Sequence, residues 1–164
     1  MMYIGIDPGK KGSVTRIDPK GKITVVPTPL LDKDYHIGGM VDILKDFSVE
    51  YDERGFPRDD ESFCIIERSQ AMPGQGVVSM FEFGRGYGIW LGILETLEIP
   101  YQIIHSRTWT KQMLKGAPGE GKARAVSVAS RLFPEWKPKL KKEWEYADSI
   151  LLAEYGRRLK EKEE

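Results

Sequence analysis

The chain has 164 residues, of which 40% are hydrophobic and 30% charged, a composition that excludes disordered, collagen-like and membrane chains. Its single cysteine, Cys64, and its two histidines, His36 and His105, exclude a disulfide framework and a zinc site built from paired Cys and His residues. The net charge is +0, but residues 1–100 carry 11 Lys and Arg against 16 Asp and Glu, and residues 101–164 carry 14 against 9. This division suits a protein that gathers carboxylates around a cation and offers a basic surface to a polyanion.

The first residues of the chain and its apolar runs bear on its location. No apolar run reaches the roughly 18 residues of a membrane-spanning helix. Residues 1–7 lack the basic start of a signal peptide and meet the charged Asp7 at once. We therefore expect residues 1–164 to form a single domain in the cytoplasm.

The predicted elements of the first half are four strands and a helix. Residues 2–7 are an apolar run stopped by Pro-Gly, which predicts a buried strand. Residues 12–18 and 22–28 alternate apolar and polar side chains on either side of a turn, which predicts a hairpin. Residues 36–47 have apolar side chains at helical spacing, and the charged residues 51–61 predict a surface loop. Residues 63–66 predict a central strand that ends at Glu67.

The second half begins with a predicted loop over residues 70–76 and an apolar helix over residues 77–97. Glycines at intervals of four leave one face of this helix flat for close packing: Gly84, Gly88 and Gly92. Residues 101–105 predict another buried strand, and Ser106 is predicted to cap a helix that runs to residue 115. Helices are also predicted over residues 120–133 and 143–160, joined by a connector rich in proline and lysine. A hairpin followed by strand–helix units predicts an α/β fold, a mixed five-stranded sheet with helices on both faces.

Acidic residues occupy unusual places in this prediction. Asp7 ends the first strand and Glu67 ends the fourth, so their carboxylates lie side by side if these two strands are adjacent. Glu145 and Asp148 are three residues apart and project from one face of the last helix, where Asp148 interrupts an apolar side. Taken singly, each acid also fits an ordinary turn, a solvent-exposed strand end or a solvated helix face. Their combination favours a catalytic site.

Carboxylates gathered at one place need a cation. Oxygen ligands without a nearby histidine or thiolate select Mg²⁺ or Mn²⁺. Two such ions about 4 Å apart activate a water and stabilise a leaving oxygen in phosphodiester hydrolysis. The acids therefore indicate a metal-dependent phosphodiesterase.

Five motifs, taken in order along the chain, resemble the RuvC family of Holliday junction resolvases over nearly its whole length. They are Ile4-Gly-Ile-Asp7-Pro-Gly9, Ile65-Ile-Glu67 with the loop and glycine-rich helix that follow, Thr110-Lys111-Gln112, Gly119-Glu-Gly-Lys122 and Ala147-Asp148. The resemblance implies a ribonuclease H-like fold, a homodimer, two Mg²⁺ ions per site (with Mn²⁺ as a substitute) and paired incisions in four-way DNA junctions. It places Asp7, Glu67 and Asp148 on the metal-binding acids of the family. It places Lys111 and Lys122 on basic residues near the cleaved strand.

The sequence departs from the family pattern in two places. Glu145 stands where relatives carry His or Asp, so a longer carboxylate would join the metal ligands. The loop after Glu67 carries no aromatic of the kind that bacterial relatives insert into the junction centre, and Met72 is the candidate to replace it. These differences resemble phage-borne members of the family, whose site of action would be the host cytoplasm.

Other basic and aromatic residues have weaker functional interpretations. Arg107, Lys115, Arg124 and the lysines of residues 137–142 are candidate phosphate contacts, although lysines on helix surfaces are commonly only solvated. Trp109, Trp136 and Trp144 could stack on bases, but packing roles are favoured for all three.

Rival functions remain open at this point. An actin-like ATPase has a similar first phosphate loop but needs a second domain and a much longer chain. A nuclease of the same fold that acts on flaps or RNA also fits the motifs, as does a catalytically inactive junction-binding module. The glycine-bearing helix favours a homodimer, with Met80, Phe81, Ile89 and Leu91 as its apolar contacts, and the presence of all the acids favours an enzyme.

Overall fold

The computed structural model describes residues 1–58, 61–70 and 73–163. The strands are β1 (Met2–Ile6), β2 (Ser13–Ile17), β3 (Ile23–Pro27), β4 (Leu30–Leu31), β5 (Asp34–Tyr35), β6 (Glu50–Tyr51), β7 (Pro57–Arg58), β8 (Ser62–Glu67) and β9 (Tyr101–Ile104). The α-helices are α1 (Ile37–Phe47), α2 (Val77–Thr96), α3 (Ser106–Met113), α4 (Gly121–Leu132) and α5 (Ala147–Lys160). A 3₁₀ helix covers Lys141–Tyr146. Within these ranges, no helix combines the length and apolar character needed to cross a membrane.

A mixed sheet of five strands organises the fold, in the order β3-β2-β1-β8-β9. β1, β2 and β3 pair antiparallel, whereas β8 runs parallel to both β1 and β9. The predicted hairpin and the predicted adjacency of the first and fourth long strands are therefore confirmed. Two short hairpins, β4–β5 and β6–β7, lie outside this sheet.

Side chains of alternating strand positions enter two separate cores, one on each face of the sheet. Ile4 and Ile6 of β1, with Cys64 and Ile66 of β8, pack in the core that α1 and α2 cover. Phe63 and Ile65 of β8 face the opposite way, into the core that α3, α4 and α5 cover. Because successive side chains of a strand point to opposite faces of the sheet, these assignments also tell on which face the side chain at the end of each strand lies.

The closest approach between sheet and helix lies at Gly5 of β1. A Cβ atom on Gly5 would collide with the backbone carbonyl of Ser149 and the backbone nitrogen of Ala153, both in α5. At Gly156, one turn further along α5, an added Cβ would lie 2.8 Å from Ile65 Cγ1. Glycine at these positions lets α5 lie directly against β1 and β8.

Several predicted elements differ from the observed ones. Residues 51–61 were expected to form a loop but include part of the β6–β7 hairpin. Strand β9 is an edge strand because β8 pairs with one of its sides and no described strand pairs with the other, so Gln102 and Ile103 are exposed rather than buried. Ser106 does not cap α3: it is the first helical residue, and the preceding His105 makes no capping hydrogen bond through its side chain.

The last helix also starts later than predicted, at Ala147 instead of residue 143. The Glu143 carboxylate accepts hydrogen bonds from the backbone N–H groups of Lys139 (2.6 Å) and Leu140 (3.1 Å). These bonds satisfy donors at the start of the 3₁₀ helix and stabilise a tight turn where a regular α-helix was expected.

The contact between β1 and α5 predicts a large effect of adding one methyl group. Gly5→Ala should lower the free energy of unfolding by at least about 2 kcal/mol, because neither backbone can move without disturbing the sheet. Urea denaturation of purified protein measures this. Gly38→Ala in the exposed first turn of α1, where an added Cβ meets its nearest atom at 3.6 Å, is the control and should be neutral or stabilising. Equal stability of the Gly5→Ala and Gly38→Ala variants would contradict this account.

Candidate active site

Two carboxylates meet at the carboxyl end of the parallel strand pair. Ile6 of β1 is in register with Ile66 of β8, and the next residues along the chain are Asp7 and Glu67. Since Ile6 and Ile66 face α1 and α2, the alternation of side chains directs Asp7 and Glu67 toward the α3–α5 face. The backbone around Asp7 is fixed by a hydrogen bond from its N–H to the Ser13 carbonyl (3.1 Å).

A buried hydroxyl network fixes the first turn of α5 beside these strand ends. Ser149 is fully buried, and its Oγ lies 2.6 Å from Ser13 Oγ and 2.7 Å from Thr15 Oγ1, both on β2. The same hydroxyl donates to the carbonyl of Tyr146 at 3.0 Å. Because Ser149 follows Asp148 directly, this network sets where the Asp148 carboxylate lies.

Lys122, from the start of α4, bridges two acids of the cluster. Its Nζ lies 2.5 Å from Asp148 Oδ2 and 3.2 Å from Glu145 Oε2. Burial works against the positive charge, but the two carboxylates outweigh it and the pKa of Lys122 is raised. Gly116 (71°) and Gly119 (91°) in the turn before α4, and Gly121 (53°) as its first residue, have positive φ, a conformation that other residues rarely adopt.

Trp109 of α3 approaches the cluster from another side. Its indole Nε1–H donates a hydrogen bond to Glu67 Oε2 at 2.6 Å, and the residue is only 2% exposed. Trp109 therefore packs in the core, as the sequence favoured, and it also contacts a carboxylate of the site directly. Trp136 packs partly buried against the same core, and Trp144 is half-buried.

The carboxylates disfavour one another's ionisation. Burial, followed by the charges of Asp148 and Glu67, raises the pKa of Asp7 to about 8. Burial also raises the pKa of Glu67, against the hydrogen bond from Trp109, and that of Asp148, against the charge of Lys122. Titratable groups displaced in this way by burial and specific neighbours are typical of functional sites.

The cluster suits a hard cation by donor type and charge. Asp7, Glu67 and Asp148, with Glu145 beside them, offer carboxylate oxygens, the ligands that Mg²⁺ and Mn²⁺ prefer. In the described ranges, no three His, Cys, Asp or Glu side chains are arranged as a group that could hold a metal ion. Positive charge comes instead from the Lys122 ammonium, which contacts Asp148 and Glu145.

Lys111 is not brought into this cluster. It is exposed and lies in a groove of about 700 Å³ that is lined by Arg107, Thr108, Lys111, Gln112 and Lys115. A second cleft of about 750 Å³ borders this groove, since Arg107 and Thr108 line both, and its lining includes Glu67. The basic surface therefore lies next to one acid of the cluster.

The remaining candidates have varied positions. Arg124 donates to the backbone carbonyl of Leu114, a contact that ties α4 to the end of α3 and makes Arg124 structural. Lys137 and Lys139 line a separate groove with Trp136 beside β3. Met72, the candidate for insertion into DNA, lies outside the described residues.

No family model matches the chain, and no curated protein matches it. Solved structures do. The Thermus thermophilus RuvC in complex with a Holliday junction substrate superposes with a TM-score of 0.61 at 16% identity, covering 97% of this chain and 96% of that one. A second Thermus thermophilus RuvC structure gives a TM-score of 0.59 at 18% identity, with 98% and 97% covered. The chain has the RuvC fold. The predicted ribonuclease H-like α/β class is confirmed, and the resemblance drawn from the motifs holds at the level of the fold.

On this RuvC fold, the motif resemblance and the geometry agree for some residues and diverge for others. Asp7, Glu67, Asp148, Glu145 and Lys122 come together, whereas Lys111 lies on the neighbouring basic surface. Sequence reasoning missed the contact of Trp109 with Glu67 and the network centred on Ser149. The only signal for Ser149 was a small polar residue inside the apolar run of the last helix.

The burial of Asp7 and its repulsion by neighbouring carboxylates predict how the stability of the metal-free protein depends on pH. Asp7 in the unfolded chain ionises near its ordinary pKa of 3.8, but in the folded protein only near pH 8. Folding therefore retains a proton that the unfolded chain releases, and this destabilises the RuvC fold increasingly as pH rises from 4 to 8. Asp7→Asn should be more stable than the wild type at pH 8 by a few kcal/mol, and the difference should vanish near pH 4.

Thermal unfolding in EDTA across this pH range measures the difference. Asp18→Asn is the control, because Asp18 lies in the turn between β2 and β3 and its carboxylate accepts from the backbone N–H groups of Lys20 and Lys22. Relative to the wild type, Asp18→Asn should not become more stable as the pH rises. A constant difference between Asp7→Asn and wild type at every pH would show that ionisation of Asp7 does not destabilise the fold.

Proposed function

We propose that this protein is a metal-dependent endodeoxyribonuclease that resolves four-way DNA junctions by paired phosphodiester hydrolysis, with residues 1–164 as its single nuclease domain. The observation that carries the proposal is the convergence of Asp7, Glu67 and Asp148 beside a basic groove, on the fold of a protein solved with a Holliday junction substrate. An acidic centre with a basic flank suits the cleavage of a polyanion held by its phosphates.

Asp7, Glu67 and Asp148 would hold Mg²⁺, and Glu145 would add a fourth carboxylate where two ions bind. When bound, the ions supply an activated water and stabilise charge on the leaving oxygen. The carboxylates of this chain would bind and orient the ions. The raised pKa of Asp7 is consistent with a ligand that ionises fully only when a cation arrives.

Lys122 is the residue we expect to neutralise phosphate charge at the cluster. Its ammonium already contacts Asp148 and Glu145, so a phosphate that approaches these acids meets a positive charge within reach. Lys111 sits further out, and we assign it to holding the DNA strand along α3. Its replacement by Ala should weaken junction binding more than it slows cleavage of bound DNA.

We also propose that the protein acts as a homodimer through α2, because paired incisions need two sites. Gly84, Gly88 and Gly92 face open space, with no atom within 4 Å of an added Cβ, so packing within the protomer does not require them. On the same face of the helix, Val77 is 79% and Phe81 67% exposed. Among the other apolar residues predicted for this contact, Ile89 and Leu91 pack partly against the protomer's own core.

Cleavage assays on site variants test the nuclease proposal. Asp7→Asn, Glu67→Gln and Asp148→Asn should each abolish cutting of a four-way junction in Mg²⁺ but leave junction binding in Ca²⁺ intact, because these residues hold metal and not DNA. Gel assays with labelled junction, flap and duplex DNA, and with an RNA–DNA hybrid, measure cleavage and selectivity. Cutting of flaps or hybrids in preference to junctions would favour the less selective nuclease, and binding without any cutting would favour an inactive junction-binding module.

Glu145 and Glu143 provide a matched pair on the same 3₁₀ helix. Glu145→Gln should weaken Mg²⁺ binding and slow cleavage strongly without abolishing it, with partial recovery in Mn²⁺, because one negative charge leaves the cluster. Glu143→Gln should lose stability but keep wild-type metal binding, since its carboxylate serves backbone N–H groups. Calorimetric titration with Mg²⁺ and cleavage rates measure both. The reverse pattern would remove Glu145 from the site.

The dimer is tested by a charge placed on its proposed contact face. Phe81→Asp should give a monomer in analytical ultracentrifugation at micromolar concentration, and it should turn paired incisions into single nicks. Val78→Asp is the control, because Val78 is 76% exposed but lies about 100° around the helix from Val77. A wild-type protein that stays monomeric with and without junction DNA would overturn the proposal.

A further inference from the structure

Two buried tryptophans of this chain differ in how their indole N–H groups are satisfied. Trp90, fully buried in the core that α1 and α2 cover, has no hydrogen-bond acceptor for its Nε1 among the described residues. Trp109, equally enclosed on the other face of the sheet, donates to Glu67 Oε2 at 2.6 Å. A buried indole N–H normally finds an acceptor, and for Trp109 that acceptor is a carboxylate of the acidic cluster.

Only one of the two oxygens of the Glu67 carboxylate, Oε2, accepts this hydrogen bond. An indole N–H is a donor without acceptor capacity, so it orients one carboxylate oxygen toward itself and binds no cation. Oε1 takes no part in this bond, and the Glu67 carboxylate interacts through its charge with Asp7 and Asp148. Groups that hydrogen-bond to a metal ligand fix its orientation, and their loss typically costs about 10- to 100-fold in metal affinity or activity.

Trp109 also connects the site to the surface of α3. Trp109 and Met113 are buried on the inner side of this helix, one turn apart. Arg107 and Lys111, one turn apart on the opposite side of α3, line the basic groove together with Lys115 just past the end of the helix. A shift of α3 under a bound strand would move the indole and, through it, the Glu67 carboxylate.

We propose that Trp109 is a positioning residue for Glu67, holding Oε2 so that Oε1 binds the metal ion, and that it links the basic surface of α3 to the metal site. The substrate side of this inference rests on the proposed nuclease function. The contact between Trp109 and Glu67 does not, because it can be tested with the metal alone.

The experiment compares Trp109→Phe with Trp90→Phe. Both remove an indole from a core and leave an aromatic ring, but only Trp109→Phe removes a hydrogen bond to a carboxylate. Calorimetric titration with Mn²⁺ should show affinity about 10- to 100-fold weaker for Trp109→Phe, against no change for Trp90→Phe. Thermal unfolding in EDTA should show that both variants are folded. In a Glu67→Gln background, Trp109→Phe should add no further loss, because it acts through that carboxylate.

A measurement on the wild-type protein does not depend on any variant folding. The ¹H–¹⁵N spectrum contains one indole signal for each of the four tryptophans. Titration with Mg²⁺ should move the signal of Trp109 and leave that of Trp90 in place. Unchanged Mn²⁺ affinity in Trp109→Phe, an equal loss in Trp90→Phe, or a Trp109 signal that ignores saturating Mg²⁺ would each overturn the positioning role.

Cleavage of four-way junctions by the same proteins separates the two proposals. If Trp109→Phe loses metal affinity and the wild type cuts no junction, the positioning role stands and the proposed substrate falls. If the wild type resolves junctions and Trp109→Phe binds metal and cuts as well as the wild type, the resolvase stands and the positioning role falls.

Discussion

The contact of two backbones at Gly5 is the constraint on which the rest of the structure depends. With no side chain there, α5 lies directly on β1, and the hydroxyl of Ser149 reaches Ser13 and Thr15 of the neighbouring strand. These bonds fix the rotation and height of the helix over the sheet, so Asp148 enters beside the ends of β1 and β8. Neighbouring elements then complete the site: α4 brings Lys122 and α3 brings Trp109. Gly5, in the central strand β1, thus helps to determine where the Asp148 carboxylate lies, beside the carboxyl ends of β1 and β8.

The site is held together against its own electrostatics. Several carboxylates in a mostly buried place raise one another's pKa, and the fold tolerates this because Lys122 neutralises part of the charge and Trp109 satisfies one oxygen of Glu67. Groups arranged in this way lower the stability of the free protein but are ready to receive a cation. The stable parts lie elsewhere, in two apolar cores on either side of the sheet.

The sequence made part of this predictable. The apolar runs and the Pro-Gly after Asp7 located the first and fourth strands, and their expected adjacency placed the two terminal acids side by side. Glu145 and Asp148 were predicted to project from one face of an α-helix. Glu145 lies instead in a 3₁₀ helix, but both carboxylates still contact Lys122. The roles of Trp109 and Ser149 could not be predicted, since each depends on contacts between residues more than 40 positions apart. The exposure of β9 was equally hidden, because an apolar run does not reveal whether a strand has neighbours on one side or two.

The acidic cluster is less exposed than the basic groove, so the ionic strength should affect the interactions of the two regions to different degrees. The carboxylates of the cluster are only partly exposed, and dissolved ions screen partly buried charges less than charges in open water. Lys111 and its neighbours on α3 stand in water, where each phosphate contact adds to the salt dependence of binding. Added salt should therefore weaken the DNA binding proposed for this basic surface more than it weakens the interactions among the acids. The two groups of charges differ in exposure, and so in how strongly the medium screens them.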